Sequence, residues 1–233
     1  MAVLILKNKY RQNRLFVTRG FSPMAAEERE IKNRVIKVGV RLYQAGLALG
    51  RSGNISARLN DTRILITARG TFLGNLTYKD IVRVDIRTHA VTGHQKPSSE
   101  LPLHALIYKN LPVKTIIHCH PPLTNGYFAA ANRLKALTFE AKCCLGNVPA
   151  VKQYTPTVMS PGLVLAALKK NKIVVLKNHG VVSIADNFQD ALGHIETLEE
   201  AIKVAAIARL CNKGGLDDLD KALKRNLRSP SFI

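Results

Sequence analysis

Tryptophan is absent from this 233-residue chain, and aromatic residues make up only 6% of it. Proteins that bind single-stranded nucleic acid stack the bases on aromatic side chains, so the scarcity argues against such a platform. Acidic residues are also few, 16 against 35 Lys and Arg, which gives a net charge of +19. Such a charge often indicates nucleic acid, but here the basic residues are dispersed and accompany no nucleic-acid-binding motif. We interpret the charge as a surface that attracts anionic substrates, with nucleic acid as the minor alternative.

Long hydrophobic runs are missing too, and none approaches the roughly 20 residues that a membrane helix needs. Residues 1–6 are apolar, but no basic stretch precedes them and no small-residue cleavage site follows, so we predict no secretory signal. The cysteines form no C-x-x-C pair and match neither a zinc finger nor a disulfide framework. They are Cys119, Cys143, Cys144 and Cys211. A reducing compartment fits this pattern, and we predict a cytoplasmic protein without a membrane partner.

A chain of this length is predicted to form one main domain. Residues 1–21 carry five basic residues and no acidic one, and we interpret them as a basic N-terminal arm outside the fold. The alternative is that the start codon has been assigned too far upstream. Residues 22–212 alternate between helical and strand-like patterns and form the predicted domain. Residues 213–233 are polar and charged, which is typical of a loose C-terminal tail.

Helical and strand-like patterns are interspersed along this domain. Ser22-Pro23 is typical of a helix start, and apolar residues then recur at helical spacing from Ile31 to Leu49, with Gly50 as the predicted end. Further helices are predicted to begin at Ser99, at Ser160-Pro161 and at Asp186. Strands are predicted at 64–67, 81–86, 113–117 and 173–176. This alternation favours a sheet covered by helices.

Two histidines close one of the apolar strand-like runs. His118 and His120 are two positions apart, and residues so spaced on a strand point to the same face. Both imidazoles can therefore face one point while Cys119 faces away. A third histidine, His179, follows the next apolar run and precedes a glycine. Neutral imidazoles suit zinc, and three protein ligands with one open position are typical of a catalytic site, although H-x-H alone also fits an ordinary pair of histidines.

Three further segments are rich in small side chains, hydroxyls and backbone N–H groups, which is what a phosphate needs. They are Gly53-Asn54-Ile55-Ser56, Thr67-Ala68-Arg69-Gly70 and Pro97-Ser98-Ser99-Glu100. Arg51 and Arg69 lie in or beside two of them and could add paired hydrogen bonds. The predicted phosphate contacts are Asn54, Ser56, Arg69, Gly70, Ser98 and Ser99. Each segment taken alone also fits an ordinary turn.

Taken in order with the histidines, these segments resemble the class II aldolase/adducin-head family over roughly residues 25–210. The motifs that carry the resemblance are G-N-x-S from Gly53, T-x-x-G from Thr67, S-S-E-x-x-x-H from Ser98, H-x-H from His118 and N-H-G from Asn178. The family includes L-fuculose-1-phosphate aldolase, L-ribulose-5-phosphate 4-epimerase and the non-catalytic head of adducin. The resemblance implies that His118, His120 and His179 bind one divalent metal, Zn²⁺, with Mn²⁺ and Co²⁺ as alternatives.

The same resemblance implies an α/β fold with α/β/α layers, in which an antiparallel-rich central sheet carries helices on both faces. It also implies a homotetramer with active sites at the subunit interfaces. The implied activity is cleavage of a phosphorylated ketose, similar to fuculose 1-phosphate, into dihydroxyacetone phosphate and an aldehyde through a zinc-stabilised enediolate.

Glu100 matches the family's catalytic carboxylate, which acts as acid and base at the enediolate carbon. We expect it to be anionic at neutral pH, because it would lie near a dication and a helix N-terminus. Family epimerases tend to carry Asp at this position, so Glu100 favours an aldolase. His104 matches a family histidine that we interpret as structural or as supporting the site.

Two departures keep other reactions open. Phe139 occupies the place of a tyrosine that donates a proton to the leaving group, and phenylalanine cannot do so. Glu140 could substitute for it or could be a surface acid. Arg69 replaces a small hydroxyl residue of the phosphate loop. The alternatives are a sugar-phosphate 4-epimerase, a decarboxylase or dehydratase of the same family, and an adducin-like binding module without catalysis.

Overall fold

The computed structural model describes residues 23–155, 157–158 and 160–212. The predicted N-terminal arm, Ser22 and the predicted C-terminal tail lie outside these residues. The described helices are α1 Pro23–Gln44, α2 Leu101–Asn110, α3 Pro122–Ala130, α4 Phe139–Leu145, α5 Pro161–Leu168 and α6 Phe188–Asn212. The described strands are β1 Asn54–Arg58, β2 Arg63–Thr67, β3 Ile81–Asp85, β4 Val91–Thr92, β5 Thr115–Cys119, β6 Ala150–Lys152, β7 Ile173–Lys177 and β8 Gly180–Ala185.

The strands form one eight-stranded sheet in the order β4-β3-β2-β1-β5-β8-β7-β6. Every neighbouring pair is antiparallel except β6 and β7, which are parallel. The predicted antiparallel-rich sheet is therefore confirmed. β1 and β5 lie at its centre, where Asn54 pairs with His118. This register brings the first candidate phosphate segment directly beside the first candidate metal ligand.

The buried side chains divide into two clusters, because alternate residues of a strand point to opposite faces. One cluster contains Ile117 and Cys119 of β5 together with apolar residues of α1, α3, α4 and α6. The other contains Ile116 of the same strand together with apolar residues of α2 and α5. Helices thus contribute to both clusters.

The first helix ends earlier than predicted. It stops at Gln44, and Gly46 follows with φ of +70°. The Leu47 N–H donates to the Leu42 carbonyl at 2.9 Å and the Gly46 N–H to the Tyr43 carbonyl at 2.9 Å, a Schellman-type end. The prediction of Gly50 was wrong because Ala45 and Leu49, which continue the apolar spacing, are exposed. After the turn, Leu47 and Ala48 are the residues that return to the hydrophobic cluster.

The segment from Asn54 to Ser56, predicted as a phosphate loop with an ordinary turn as the alternative, belongs to strand β1. Its alternation of polar and apolar residues is a strand pattern, and its polar side chains are buried along with the apolar ones. The sequence interpretation missed the strand because Asn and Ser are also common turn residues.

Among the helices that the structure describes, none combines the length and the apolar character needed to cross a membrane.

Candidate metal and phosphate site

The three candidate ligands meet at one end of the central strands. His118 is on β5, His120 follows that strand directly, and His179 lies in the tight turn between β7 and β8. Their nearest ligand atoms all lie within 4.8 Å of one another, and each pair of ring centroids is 4.7–4.8 Å apart. The alternation of side chains along β5 places His118 and His120 on one face. The turn of the neighbouring β7–β8 hairpin brings His179 to the same point.

The nitrogen atoms of these rings are arranged as ligands require. His118 Nδ1 lies 2.9 Å from the Val181 carbonyl oxygen and can donate to it, which leaves Nε2 as the free acceptor. His120 Nε2 lies 3.0 Å from this Nε2. His179 Nε2 is buried and has no hydrogen-bond partner within the described part of the chain. Three converging imidazole nitrogens fit a zinc ion.

Burial also keeps these histidines in the form that binds metal. Burial lowers the pKa of His118 well below its ordinary value, and the neighbouring His120 and His179 lower it further. Burial, followed by the proximity of His179, lowers the pKa of His120 to about 4. Burial likewise lowers the pKa of His179. At neutral pH all three rings are therefore neutral, and a metal can bind without displacing protons.

Two glycines permit the close approach of the chain segments around the histidines. Gly53 has φ of +83°, and a Cβ there would lie 2.7 Å from the His118 carbonyl oxygen. A Cβ at Gly180 would overlap the Cys119 carbonyl oxygen and lie 2.8 Å from His120 Cδ2. The glycine in the N-H-G motif is therefore required by packing against His120.

Glu100 lies beside the histidines, just before α2 rather than inside it. It is the N-cap residue of that helix, and its N–H donates to the Ser98 hydroxyl at 3.2 Å, so the predicted cap at Ser99 was wrong. Its side chain is buried, and one carboxyl oxygen accepts from the Val158 N–H at 3.1 Å. Burial raises the pKa of this carboxyl, and the Val158 hydrogen bond opposes that shift. The carboxyl is therefore held in place and suited to exchange a proton.

A cavity of about 140 Å³ joins these groups to most of the predicted phosphate contacts. Its lining includes the three histidines, Glu100, Asn54, Arg69, Gly70, Ser98 and Ser99, together with Arg51, Ser52, Gly53 and Ala68. Arg51 and Arg69 are exposed. Within the described residues neither guanidinium makes an ion pair with a carboxylate. Both are therefore available to an anionic ligand.

Ser56 is the one predicted phosphate contact that does not line this cavity. It is fully buried, and its hydroxyl lies 2.6 Å from His104 Nδ1 and 3.0 Å from the Tyr108 hydroxyl. Burial lowers the pKa of His104 to about 3, so the ring is neutral. These contacts join β1, which carries Asn54, to α2, which follows Glu100. His104 therefore supports the structure around the cavity, as the structural interpretation expects.

Phe139 and Glu140 also lie away from the cavity. Phe139 begins α4 and its side chain is 80% exposed, and Glu140 is exposed as well. Among the described residues that line the cavity, Glu100 carries the only carboxyl group and there is no tyrosine.

The candidate site is not the most spacious cavity among the described residues. A cavity of about 660 Å³ lies at the opposite ends of β5, β7 and β8, next to Val113, Lys172 and Ala185. It contains none of the predicted site residues. The smaller cavity is the candidate site because the converging ligand atoms and the buried carboxyl lie there.

Sequence reasoning did not single out Ser52 or Ala68. Ser52 directly precedes the G-N-x-S motif, and Ala68 is a variable position inside the T-x-x-G motif. Their place in the lining depends on how β1 and β2 pair. The spacing of small residues around those motifs was the only signal that could have found them.

Comparison with known proteins agrees with this geometry. The model of the class II aldolase and adducin N-terminal domain family matches residues 33–206. A 3-oxo-tetronate 4-phosphate decarboxylase from Pectobacterium atrosepticum is 31% identical over 81% of this chain and 89% of its own length. An L-fuculose phosphate aldolase from Methanocaldococcus jannaschii is 32% identical over 78% of this chain and 99% of its own length.

Solved structures share the fold. YgbL from Escherichia coli superimposes with a TM-score of 0.70 at 28% identity, covering 77% of this chain and 90% of that one. The L-fuculose-1-phosphate aldolase from Thermus thermophilus gives a TM-score of 0.72 at 23% identity, covering 89% of this chain and 100% of that one. At 23% identity, the similarity to the Thermus thermophilus structure supports a shared fold and nothing further.

Gly180→Ala should disrupt the histidine cluster, because the new Cβ meets backbone that cannot yield. We expect a loss of roughly 1–3 kcal/mol in unfolding free energy from overpacking, together with weaker binding of added Zn²⁺. Urea unfolding and zinc titration measure the two effects. Gly193→Ala is the matched control, since it lies inside α6 with nothing within 4 Å of its Cβ and should be neutral or stabilising. Equal behaviour of the two variants would contradict the packing argument.

Proposed function

This chain belongs to the family of class II aldolase and adducin N-terminal domains, and we propose that it is a metal-dependent carbon–carbon lyase acting on a phosphorylated sugar. Our leading assignment is an aldolase that cleaves a phosphorylated ketose, similar to fuculose 1-phosphate, into dihydroxyacetone phosphate and an aldehyde. The observation that carries the proposal is the convergence of three neutral imidazoles and one buried carboxyl in a single cavity that also presents anion-binding groups.

We assign His118, His120 and His179 as the metal ligands and Zn²⁺ as the metal, with Mn²⁺ or Co²⁺ as substitutes. Three histidines leave a coordination position open for substrate. When bound, the metal supplies Lewis acidity to substrate oxygens. An adducin-like module without catalysis is the less favoured alternative, because it gives no account of a buried carboxyl beside three converging ligands.

Glu100 is assigned as the catalytic acid and base. Its carboxyl is fixed by the Val158 N–H and has no cationic partner within the described ion pairs. In the cleavage direction it delivers a proton to the carbon that is left electron-rich when the carbon–carbon bond breaks. In the reverse direction it removes that proton. A raised pKa brings the group closer to the operating pH, which favours both transfers.

The phosphate is assigned to Asn54, Arg69, Gly70, Ser98 and Ser99, with help from Arg51. These residues lie on two strand ends and one helix start, so their N–H and hydroxyl groups approach a ligand from different sides. Phosphate oxygens favour such charge-assisted and backbone donors. Ser56 is left out of this assignment because its hydroxyl is engaged by His104 and Tyr108.

Decarboxylation of a phosphorylated 3-oxo acid is a second candidate, and two observations favour it. Two arginines that form no ion pair in the described part of the chain, Arg51 and Arg69, line the cavity, which suits a substrate with both a phosphate and a carboxylate. Cleavage that releases CO₂ leaves the bonding electron pair on the carbon next to the ketone, delocalised onto the ketone oxygen, and needs no proton transfer to or from the leaving group. It would therefore need only Glu100 and would tolerate phenylalanine at position 139. The epimerase and dehydratase alternatives gain no such support.

Three features stay predictions of the sequence: the homotetramer, its active sites at subunit interfaces, and the cytoplasmic location. Light scattering and cell fractionation test them. An interface would allow a neighbouring subunit to supply the group that takes the hydroxyl proton in aldol cleavage and returns it in the reverse direction, which this chain's own cavity lacks among its described lining residues beside Glu100.

Product analysis on a panel of substrates separates the candidates. Purified protein loaded with Zn²⁺ should cleave a phosphorylated ketose to dihydroxyacetone phosphate, or release CO₂ from 3-oxo-tetronate 4-phosphate. A chelator should abolish turnover, and added Zn²⁺ should restore it. A protein with no bound metal and no turnover on either substrate would favour the binding module.

Glu100→Gln removes the proton-transferring group but keeps its size. We expect kcat to fall at least about a hundredfold, the lower end of typical acid–base contributions, while zinc stoichiometry and fold are kept. His120→Ala is the contrasting variant, which should lose metal. If Glu100→Gln lost its metal as well, Glu100 would be a ligand and the assignment of its role would be wrong.

Arg69→Ala should weaken substrate binding rather than turnover, since a phosphate is held alike in the ground and transition states. A hydrogen bond to a charged group contributes about 1.5–3 kcal/mol, so KM should rise roughly 10- to 100-fold. The matched control is Arg63→Ala, an exposed arginine at the other end of β2. The phosphorylated substrate should also be turned over far better than the free sugar, and equal kcat/KM for the two would overturn the phosphate assignment.

A further inference from the structure

Helix α3 begins without a cap of its own. It follows His120 directly through Pro121 and Pro122, and Pro121 at the N-cap position has no side-chain oxygen. Pro122 at the first helical position has no N–H to satisfy. The Asn125 N–H donates to the Pro121 carbonyl at 3.0 Å. The N–H groups of Leu123 and Thr124 are therefore the ones that need an acceptor from outside the helix.

Glu199 of α6 supplies that acceptor from 75 residues further along the chain. One carboxyl oxygen accepts from the Leu123 N–H at 2.9 Å. The other accepts from the Thr124 N–H at 2.9 Å and from the Thr124 hydroxyl at 2.7 Å. All three bonds are short and charge-assisted, and a carboxylate at a helix N-terminus also complements the helix dipole.

Helix α3 connects two of the candidate metal ligands. Only Pro121 separates its first residue from His120, so the position of that turn directly affects where the imidazole lies. Its second turn carries Asn125, whose side-chain amide donates to the His179 carbonyl at 3.4 Å. Phe128 of the same helix is fully buried in the cluster shared with α6. A displacement of α3 would therefore move His120 and His179 relative to each other.

We propose that Glu199 is a positioning residue for the metal site: by capping α3, it sets the geometry of His120 and His179 without touching metal or substrate. This role rests on the proposed function for its metal, but the capping itself is a property of the metal-free protein.

Zinc titration of purified protein, after chelator treatment and dialysis, tests the proposal. Glu199→Ala should weaken zinc affinity about 10- to 100-fold, the range seen when supporting partners of ligands are removed. Glu196→Ala is the matched control, because it lies on the same helix and removes the ion pair with Arg41, which is on α1 rather than α3. It should leave zinc affinity unchanged. Equal loss in both variants, or no loss in Glu199→Ala, would overturn the proposal.

A second-site rescue separates capping from a general effect of charge. Pro121→Ser places a hydroxyl at the N-cap position, where serine accepts from the second or third N–H of a helix. Added to Glu199→Ala, it should restore most of the zinc affinity, while Pro121→Ser alone should change little. Absence of rescue would overturn the capping role. If Glu199→Ala fails to fold, Glu199→Gln, which keeps one acceptor oxygen, should show a smaller loss of affinity of the same kind.

Two measurements on the metal-free protein distinguish failure of this inference from failure of the proposed function. Amide hydrogen exchange at Leu123 and Thr124 should accelerate in Glu199→Ala and not in Glu196→Ala. Imidazole NMR signals of His120 and His179 should shift in the same variant. If wild-type protein bound no zinc, the proposed function would fail, and these two measurements would still decide whether Glu199 positions the histidines.

Discussion

The structure depends on one close approach, in which the end of β5 meets the turn between β7 and β8. Gly180 allows this contact, because any larger residue would overlap the Cys119 carbonyl oxygen. The approach places the ligand atoms of His118, His120 and His179 within 4.8 Å of one another. Burial then keeps the rings neutral, so the geometry and the protonation state of the candidate ligands have the same physical origin.

Two helices next to the site are held in part by charged side chains of distant elements. Glu199 satisfies the N-terminus of α3. At the end of β1 that is remote from the site, Arg58 donates to three carbonyls where α2 ends. They are those of Tyr108 at 2.7 Å, Leu111 at 3.1 Å and Val113 at 3.0 Å. Its guanidinium also lies 4.9 Å from the centre of the Tyr108 ring. Glu199 and Arg58 thus supply hydrogen-bond partners to backbone groups at helix ends that would otherwise lack them. The position of α3 therefore depends on α6, and the position of α2 depends on β1.

Charge within the cavity is more specific than the overall charge of the chain. A net charge of +19 attracts anions in general. Arg51 and Arg69 concentrate that property beside three neutral imidazoles and a single carboxyl. A ligand that brings a phosphate and oxygen atoms for a metal would satisfy all of these groups together. Whether it also brings a carboxylate is the chemical difference between the two candidate reactions.

The sequence by itself determined the family and the histidine cluster, and the family resemblance implied the antiparallel-rich sheet. Strand periodicity is local, so H-x-H at the end of an apolar run sufficed to predict that two imidazoles share a face with Cys119 turned away. The ordered motifs added Glu100 and the candidate phosphate segments to the predicted site. Glycine and serine patterns were less reliable. The segment with Asn54 and Ser56 was predicted as a loop but is a strand, and the end of α1 was misplaced.

Only the tertiary structure decided which of the polar residues face the cavity and which support it. Asn54 and Ser56 lie two positions apart on β1, yet the Ser56 hydroxyl is engaged by His104 and Tyr108 of α2. Glu199 lies far from every motif, and its role follows from where α6 crosses the start of α3. Such contacts join residues separated by tens of positions, and their geometry depends on how helices pack on the sheet, which local patterns along the chain do not specify.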